Sequence, residues 1–343
     1  MKTNYEDHLI LEGIKKNVSD IHFEPKKEKM IIRFRKDDVL YLEKELNKEE
    51  QEALTIRLKI RGGMDIGERR LIQKGRFAFA DENDNYNIRI SLMPTIYGEK
   101  IVLRILKNQD LNKSFEDLGF NSEIEEKIKE IISYPSGLFL FTGSTGSGKT
   151  TTQMTLLKLM KNKGKNILII EEPVEYFLEE ANQIEVDRER GFDYGIILRE
   201  SLRQDPDLIV IGEIRDSETA RTAVRAAGTG HLVFATLHTE SGKDAVNRIE
   251  DLGVSSKELA MVLRGVMSQR LIRKKCKRCN KSSNCDLCGG TGYYGRFAVG
   301  DIFFFNNSNS FEDFDDVGNM KKQVLGKIKD GETDVEEFKR KFI

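Results

Sequence analysis

The stretch Gly143-Ser144-Thr145-Gly146-Ser147-Gly148-Lys149-Thr150 matches G-x-x-x-x-G-K-[ST] in full, a spacing suited to gripping phosphate. Glycines let backbone N–H groups close around an anion, and a helix N-terminus behind them adds its positive end. Lys149 is placed to reach the β- and γ-phosphates of ATP. Thr150, followed by Thr151 in the first helical turn, offers a hydroxyl to Mg2+.

Hydrolysis also needs an acid near the metal and a group that positions the attacking water. Two acidic clusters sit where apolar runs end. One is Ile167-Leu168-Ile169-Ile170-Glu171-Glu172-Pro173-Val174-Glu175, the other Leu208-Ile209-Val210-Ile211-Gly212-Glu213-Ile214-Arg215-Asp216. In open α/β sheets ligands collect outside the carboxyl ends of the strands, so both clusters are expected to face the glycine loop. His231 and His238 bracket a further buried run. His238, at the far end, is placed to sense a γ-phosphate by hydrogen bonding, although a plain structural role is the commoner use of such a histidine.

All four cysteines fall in one short segment, as Cys276-x-x-Cys279 and Cys285-x-x-Cys288. Two such knuckles make a tetrahedral Zn2+ site, and four thiolates close the coordination sphere, which makes the role structural. Gly289, Gly290 and Gly292 suit tight turns beside it, and Lys274, Lys275, Lys277 and Arg278 offset thiolate charge.

The elements that must carry these residues read in two styles. Residues 4–17 and 48–61 have helical patterns. Between and after them lie strand-like runs at 21–23, 30–34, 76–79, 86–90 and 101–106, which together suggest a small α+β domain over 1–107. Residues 108–121 read as a polar linker. From 122 onward the rhythm changes to longer alternation: strands at 137–142, 166–170, 208–211 and 232–236, with helices at 149–162, 194–204 and 217–228. That is the pattern of a mostly parallel sheet with helices on both faces, filling 122–343. After 306 the tail is polar and charged, expected as loosely packed short helices.

The 343 residues carry 56 Lys+Arg and 57 Asp+Glu, a formal net charge of -1. Such balance gives no bulk electrostatic reason to bind nucleic acid or an anionic membrane. No apolar run approaches the ~18–20 residues of a membrane span. The polar start, Met1-Lys2-Thr3-Asn4-Tyr5-Glu6-Asp7, gives no signal-peptide pattern, and a cytoplasmic location is expected.

From Leu198 the text LRESLRQDPDLIVIGEIRDSETARTAVRAAGTGHLVFATLHTE closely resembles the secretion/pilus traffic ATPases (the GspE/PilB/PilT/ComGA family). The likeness extends over nearly the whole chain. Ser19-Asp20-Ile21-His22-Phe23-Glu24-Pro25, the phosphate loop, the acidic box at 171–175, the Gly212-Glu213 segment and the histidine boxes at His231 and His238 stand in family order. The resemblance implies a RecA-like P-loop ATPase domain, a smaller PAS-like α+β domain before it, and a zinc-binding tetracysteine insertion at about 273–300. It implies a homo-hexameric ring with ATP bound between the two domains and against a neighbouring subunit. Glu171 corresponds to the family's catalytic glutamate, with Glu175 the second choice, and Glu213 to the glutamate supporting Mg2+. Arg89 and Arg104 match the arginine pair that meets the terminal phosphates.

It further implies an inner-membrane platform protein as partner and action on pilins only through it. Direct nucleic-acid contact is not expected, and the ring would sit against the cytoplasmic face of the inner membrane. A compact chain with the tetrad looks most like the competence-pilus assembly ATPase of DNA-uptake systems (the ComGA type). A type II secretion or type IV pilus assembly ATPase stands beside that reading, then a retraction motor, which lacks the tetrad. A nucleic-acid translocase and a catalytically dead scaffold are further alternatives. Balanced charge opposes the first, and intact Lys149, Thr150 and Glu213 oppose the second. The sequence departs from the family at Glu172, where aspartate is usual, at Glu240 in place of asparagine, and at Arg35-Lys36-Asp37-Asp38, where the family has R-x-D-G. The loop between the cysteine pairs is also short, and the extra N-terminal module of larger secretion ATPases is not expected.

Overall fold

A computed structural model describes residues 4–81, 84–107, 114–160, 164–279, 285, 287–305, 311 and 314–343. The chain forms two compact units, Met1–Asp110 with Cys276–Gly295, and Leu111–Lys275 with Arg296–Ile343. The cysteine segment thus groups with the N-terminal residues.

The first unit runs α1 (Tyr5–Lys15), β1 (Asp20–Pro25), β2 (Met30–Lys36), β3 (Val39–Leu46), α2 (Lys48–Arg61), β4 (Gln73–Ala80), β5 (Asn85–Thr95) and β6 (Gly98–Lys107). Its sheet has the order β3-β2-β1-β6-β5-β4, with the paired strands antiparallel. Alternate residues of the central strands face one core: Ile21 and Phe23, Ile32 and Phe34, Ile101 and Leu103, all fully buried. Leu9 and Ile10 of α1 and Leu54 and Leu58 of α2 join that core. The start of α2 is set by a capping box in which Asn47 and Glu50 satisfy each other's backbone N–H groups, a device that fixes where the first turn begins. On the other face of the sheet, register aligns Arg35, Asp20, Arg104, Arg89 and Arg76 across β2, β1, β6, β5 and β4. Residues directly opposite on neighbouring strands share a face, so this is one charged row.

The second unit opens with α3 (Phe115–Leu118) and α4 (Ser122–Ile131). Of the stretch read as a linker, 108–113 lies outside the described residues. The rest is ordered into the core through Phe115 and Phe120. Then follow β7 (Gly137–Thr142), α5 (Lys149–Lys158), β8 (Ile167–Glu171), β9 (Asn182–Glu185), α6 (Tyr194–Ser201), β10 (Leu208–Ile211), α7 (Ser217–Gly228), β11 (Leu232–Leu237), α8 (Gly242–Asp251), α9 (Ser256–Val262) and β12 (Leu263–Lys275). After the cysteine segment come β13 (Tyr293–Phe305), β14 (Phe314–Val317), α10 (Met320–Lys329) and α11 (Val335–Phe342). The last part of the helix read at 149–162 falls on 161–162, outside the described residues.

The strand order is β14-β13-β12-β7-β11-β10-β8-β9, parallel from β12 to β9. Successive side chains alternate between two cores. Leu138, Leu140, Ile209, Val233 and Ala235 pack with α6, α7 and α8 on one face. Phe139, Phe141, Val210 and Phe234 pack with α4 and α5 on the other. This is an α/β sheet covered on both sides, which is why its strands read as continuous apolar runs.

The tail is not loosely packed. Met320 and Val324 are buried with Ile272, Phe297 and Val299. Glu337, fully buried, accepts from Arg273 Nε at 2.7 Å and Arg340 Nε at 2.6 Å. The sequence shows those charges as a polar tail because the partner that buries Glu337, Arg273, lies 64 residues away and leaves no local pattern.

Candidate functional site

Parallel register brings the chemistry-bearing residues to one edge of the second sheet. Thr142 at the end of β7 pairs with Leu237 at the end of β11. Ile211 of β10 lies level with Ala235 and with Ile170 of β8. Each strand therefore releases its acid, loop or histidine at the same side, as the topology of open α/β sheets requires.

The glycine loop is shaped from both ends. Gly143 has φ +143, and a Cβ there would lie 2.5 Å from the Gln269 carbonyl oxygen. Gly148, at φ +90, is the left-handed residue before α5, and a Cβ there would meet the Gln269 amide at 2.7 Å. Only glycine fits both demands. Ser144, Thr145 and Gly146 form an exposed rim, Ser147 is buried behind it, and Thr150 and Thr151 are half-buried in the first turn of α5.

Lys149 is 8% exposed. Its ammonium donates to the carbonyls of Gly143 at 2.6 Å and Ser144 at 3.1 Å. Burial pushes it down to about 8, against the pull of the Glu213 and Glu175 carboxylates. A partly desolvated cation on neutral acceptors is a strong receptor for phosphate, because an arriving anion restores its missing charge partner.

Sequence reading gave no role to Gln269, in β12. Its side chain donates to the Ser147 carbonyl at 2.8 Å and accepts from Thr152 Oγ1 at 2.8 Å. One amide thus ties the back of the loop to the start of α5. Its partners lie 117 and 122 residues away, and no local signal marks it.

Glu213 follows β10. It is paired with Arg215 at 2.7 Å, and His238 Nε2 lies 3.4 Å from its other oxygen. Glu171 closes β8, is 6% exposed and accepts from Gln183 Nε2 at 3.3 Å. Glu172 is held by Arg188 at 3.0 Å, with Arg215 at 3.8 Å, so the longer carboxylate found here reaches two guanidinium groups. Of the acids in this box, Glu175 is the one whose charge bears on Lys149. His231 is a local brace: its Nδ1 lies 3.1 Å from the Ala226 carbonyl.

Arg89 and Arg104 belong to the first unit, adjacent in register on β5 and β6. Arg104 is half-exposed and its Nε donates at 2.8 Å to Asp20 Oδ1, a carboxylate that is itself buried.

Also in the first unit, the sulfurs of Cys276, Cys279, Cys285 and Cys288 lie within 4.8 Å of one another. Cys276 and Cys285 are 3.8 Å apart, Cys279 and Cys288 3.4 Å. A tetrahedral metal with bonds of about 2.3 Å spaces its sulfurs by roughly 3.8 Å, so the donor set fits a Zn2+-sized ion. A backbone N–H of Cys288 directed at its sulfur brings the Cys285 thiol down to about 7, toward the thiolate that metals bind.

The family model described as "Type II/IV secretion system protein" matches residues 2–334. The type IV pilus assembly ATPase PilB of Thermus thermophilus is 41% identical over 320 residues, covering 86% of this chain and 36% of that protein. The putative type II secretion system protein E of Escherichia coli is 39% identical over 315 residues, covering 85% of this chain and 64% of that protein. The chain therefore spans about a third to two thirds of the length of these relatives. Among solved structures, the pilus retraction motor PilT with bound ADP superposes with a TM-score of 0.68 at 26% identity, covering 96% of this chain and 95% of that one.

Proposed function

The chain belongs to the type II/IV secretion system protein family, and we propose that it hydrolyses ATP and works as a ring-forming motor that drives assembly of a type IV pilus-like filament. The observation that carries the reading is Lys149: a buried ammonium on loop carbonyls, with the charges of Glu213 and Glu175 directed at it. In this reading Lys149 exchanges the Gly143 and Ser144 carbonyls for the β- and γ-phosphate oxygens, and the backbone from Gly143 to Thr151 surrounds the phosphates. Thr150 and Glu213 would hold Mg2+, which would supply positive charge against the phosphates. Glu171 positions and polarises the attacking water. Glu175 is the second candidate, favoured by its electrostatic reach to Lys149. His238, 3.4 Å from Glu213, reports the γ-phosphate to that carboxylate. Arg89 and Arg104 offset transition-state charge at a neighbouring subunit's nucleotide.

The finer proposal is a homo-hexamer on the cytoplasmic face of the inner membrane, acting on pilins through a platform protein, without direct nucleic-acid contact. The first unit is proposed as PAS-like and the cysteine tetrad as a structural Zn2+ site. Within the family the competence, DNA-uptake type of filament is preferred for a chain that carries the tetrad. A type II secretion or type IV pilus assembly ATPase is the alternative, supported by the names of the relatives. The tetrad argues against retraction.

The test is phosphate release by the purified chain with MgATP, beside Lys149→Ala, and native mass spectrometry for a six-subunit species. Equal turnover by the variant would reject the phosphate-loop assignment. A monomer at every nucleotide state would reject the ring.

A further inference from the structure

The first unit has a lysine where its sheet calls for an apolar side chain. Along β2, Met30, Ile32 and Phe34 point inward and are fully buried. Lys36 is next in that alternation and is 4% exposed. Asp37 and Asp38, both at positive φ, then reverse the chain into β3, so Lys36 stands at the end of the hairpin with its side chain on the covered face.

A buried ammonium is costly unless other groups replace its water and offset its charge. The adjacent Asp37 carboxylate offsets part of that charge, and the remaining groups that do so belong to the cysteine segment. Lys36 Nζ donates to the Leu287 carbonyl at 2.8 Å and lies 5.1 Å from the centre of the Tyr294 ring. The sulfurs of Cys276, Cys285 and Cys288 lie within its electrostatic reach. Leu287 is inside the knuckle Cys285-x-x-Cys288, so this hydrogen bond holds the turn that presents two of the four sulfurs. Four thiolates on a divalent ion carry a net charge of about −2, which a neighbouring cation stabilises, as outer groups around a metal commonly do.

We propose that Lys36 is a positioning residue for the tetracysteine metal site: its ammonium fastens the Cys285–Cys288 knuckle to β2 and stabilises the metal-bound thiolates, so that metal binding and knuckle docking reinforce each other. The proposal rests on the reading of the tetrad as a metal site. Because coupling is reciprocal, the lysine raises metal affinity, and the metal in turn orders the β2–β3 hairpin.

The experiment uses the full chain. Zn2+ affinity is measured by competition with a chromophoric chelator, and Co2+ binding by its thiolate absorption bands. Lys36→Met removes the charge while keeping the length. It should weaken Zn2+ binding by roughly 10–100-fold, the usual size of an outer-group effect, while Lys36→Arg, which keeps the charge, stays nearer to wild type. In the wild-type chain, chelation should also raise amide hydrogen exchange across residues 30–41. Equal Zn2+ affinity in Lys36→Met and wild type would overturn the proposal and leave the metal reading intact. A wild-type chain that binds neither Zn2+ nor Co2+ would overturn both. If Lys36→Met does not fold, the wild-type exchange measurement still decides: a hairpin indifferent to metal removal is incompatible with the coupling.

Discussion

Lys149 in the phosphate loop and Lys36 at the end of β2 are both buried lysines, 8% and 4% exposed, held in cages of different kinds. The groups around Lys149 are near in the chain: two carbonyls five and six residues before it. These two hydrogen-bond acceptors are neutral, so they satisfy its protons without neutralising its charge, and the Glu213 and Glu175 carboxylates act on it through space alone. The carbonyl that accepts from Lys36 lies 251 residues away, and beside the adjacent Asp37 carboxylate the charges acting on it include sulfurs that are anionic when they bind metal. A cage of neutral acceptors holds a cation ready for an exchangeable anion. A cage that includes thiolates holds it in place. Burial lowers the proton affinity of both lysines, and their different neighbours direct that shared strain toward binding in one case and assembly in the other.

The comparison breaks first at Lys149. Lys149→Ala should lower kcat/KM for ATP hydrolysis by about 10³-fold or more, at the upper end for loss of one preorganised charged donor. A fall of less than tenfold, measured by phosphate release, would mean that the loop is not where the triphosphate is held. The next largest effect separates the two candidate acids. Replacing the glutamate that polarises water by glutamine should cost about 10²–10⁴-fold in kcat, and the other substitution much less. Glu171→Gln is expected to be the larger. A greater loss in Glu175→Gln would assign water activation to the acid whose charge reaches Lys149.

A smaller effect follows from the proton on Lys149. Its value in the empty site is about 8, below its ordinary 10.5. Below pH 8 the ammonium is present in both the empty and the nucleotide-bound chain, and affinity changes little through this group. Above pH 8 the empty site loses the proton, and binding phosphate must take one up. Nucleotide affinity should then fall as pH rises, by up to about tenfold per unit, until the raised value of the complex is reached. For the empty chain the stability effect has the opposite sense. The charged, buried lysine opposes folding below pH 8, and the cost is relieved between 8 and 10.5. Titration of a fluorescent nucleotide across pH 7–10 checks the first claim; a slope equal to that of Lys149→Met would remove Lys149 as its cause.

What the sequence made legible follows the same division between near and far partners. β7, β10, α2 and α7 have the limits expected from the sequence because their signals are local: apolar runs between polar ends, and caps at Asn47 and Asp216. The glycine loop is legible for the same reason, since the demands on Gly143 and Gly148 arise where the motif itself turns. β3 is not: its alternation is broken by Glu43, Lys44 and Glu45, charges that an edge strand tolerates on its exposed side. β12 hides as well, because Arg264, Arg270 and Arg273 interrupt a run whose strand character comes from pairing with β7. Lys36 falls at the free position of the R-x-D-G turn, where the family pattern does not mark it, and the partner that explains it lies beyond any window.

Gln269 gives the last and smallest test, because it shows that even the local cage leans on one distant group. Its amide donates to Ser147 and accepts from Thr152, closing the loop against β12 without touching the place where phosphate would sit. Gln269→Leu keeps much of the volume but leaves the Ser147 carbonyl and the Thr152 hydroxyl unpaired. The expected loss is about 1 kcal/mol of loop preorganisation, or about fivefold in nucleotide affinity. It should appear as a higher KM with kcat little changed, since the reacting groups stay in place. If kcat fell instead by as much as in Lys149→Ala, the loop would depend on β12 as fully as Lys36 depends on its knuckle, and the contrast between a locally built and a remotely built cage would fail.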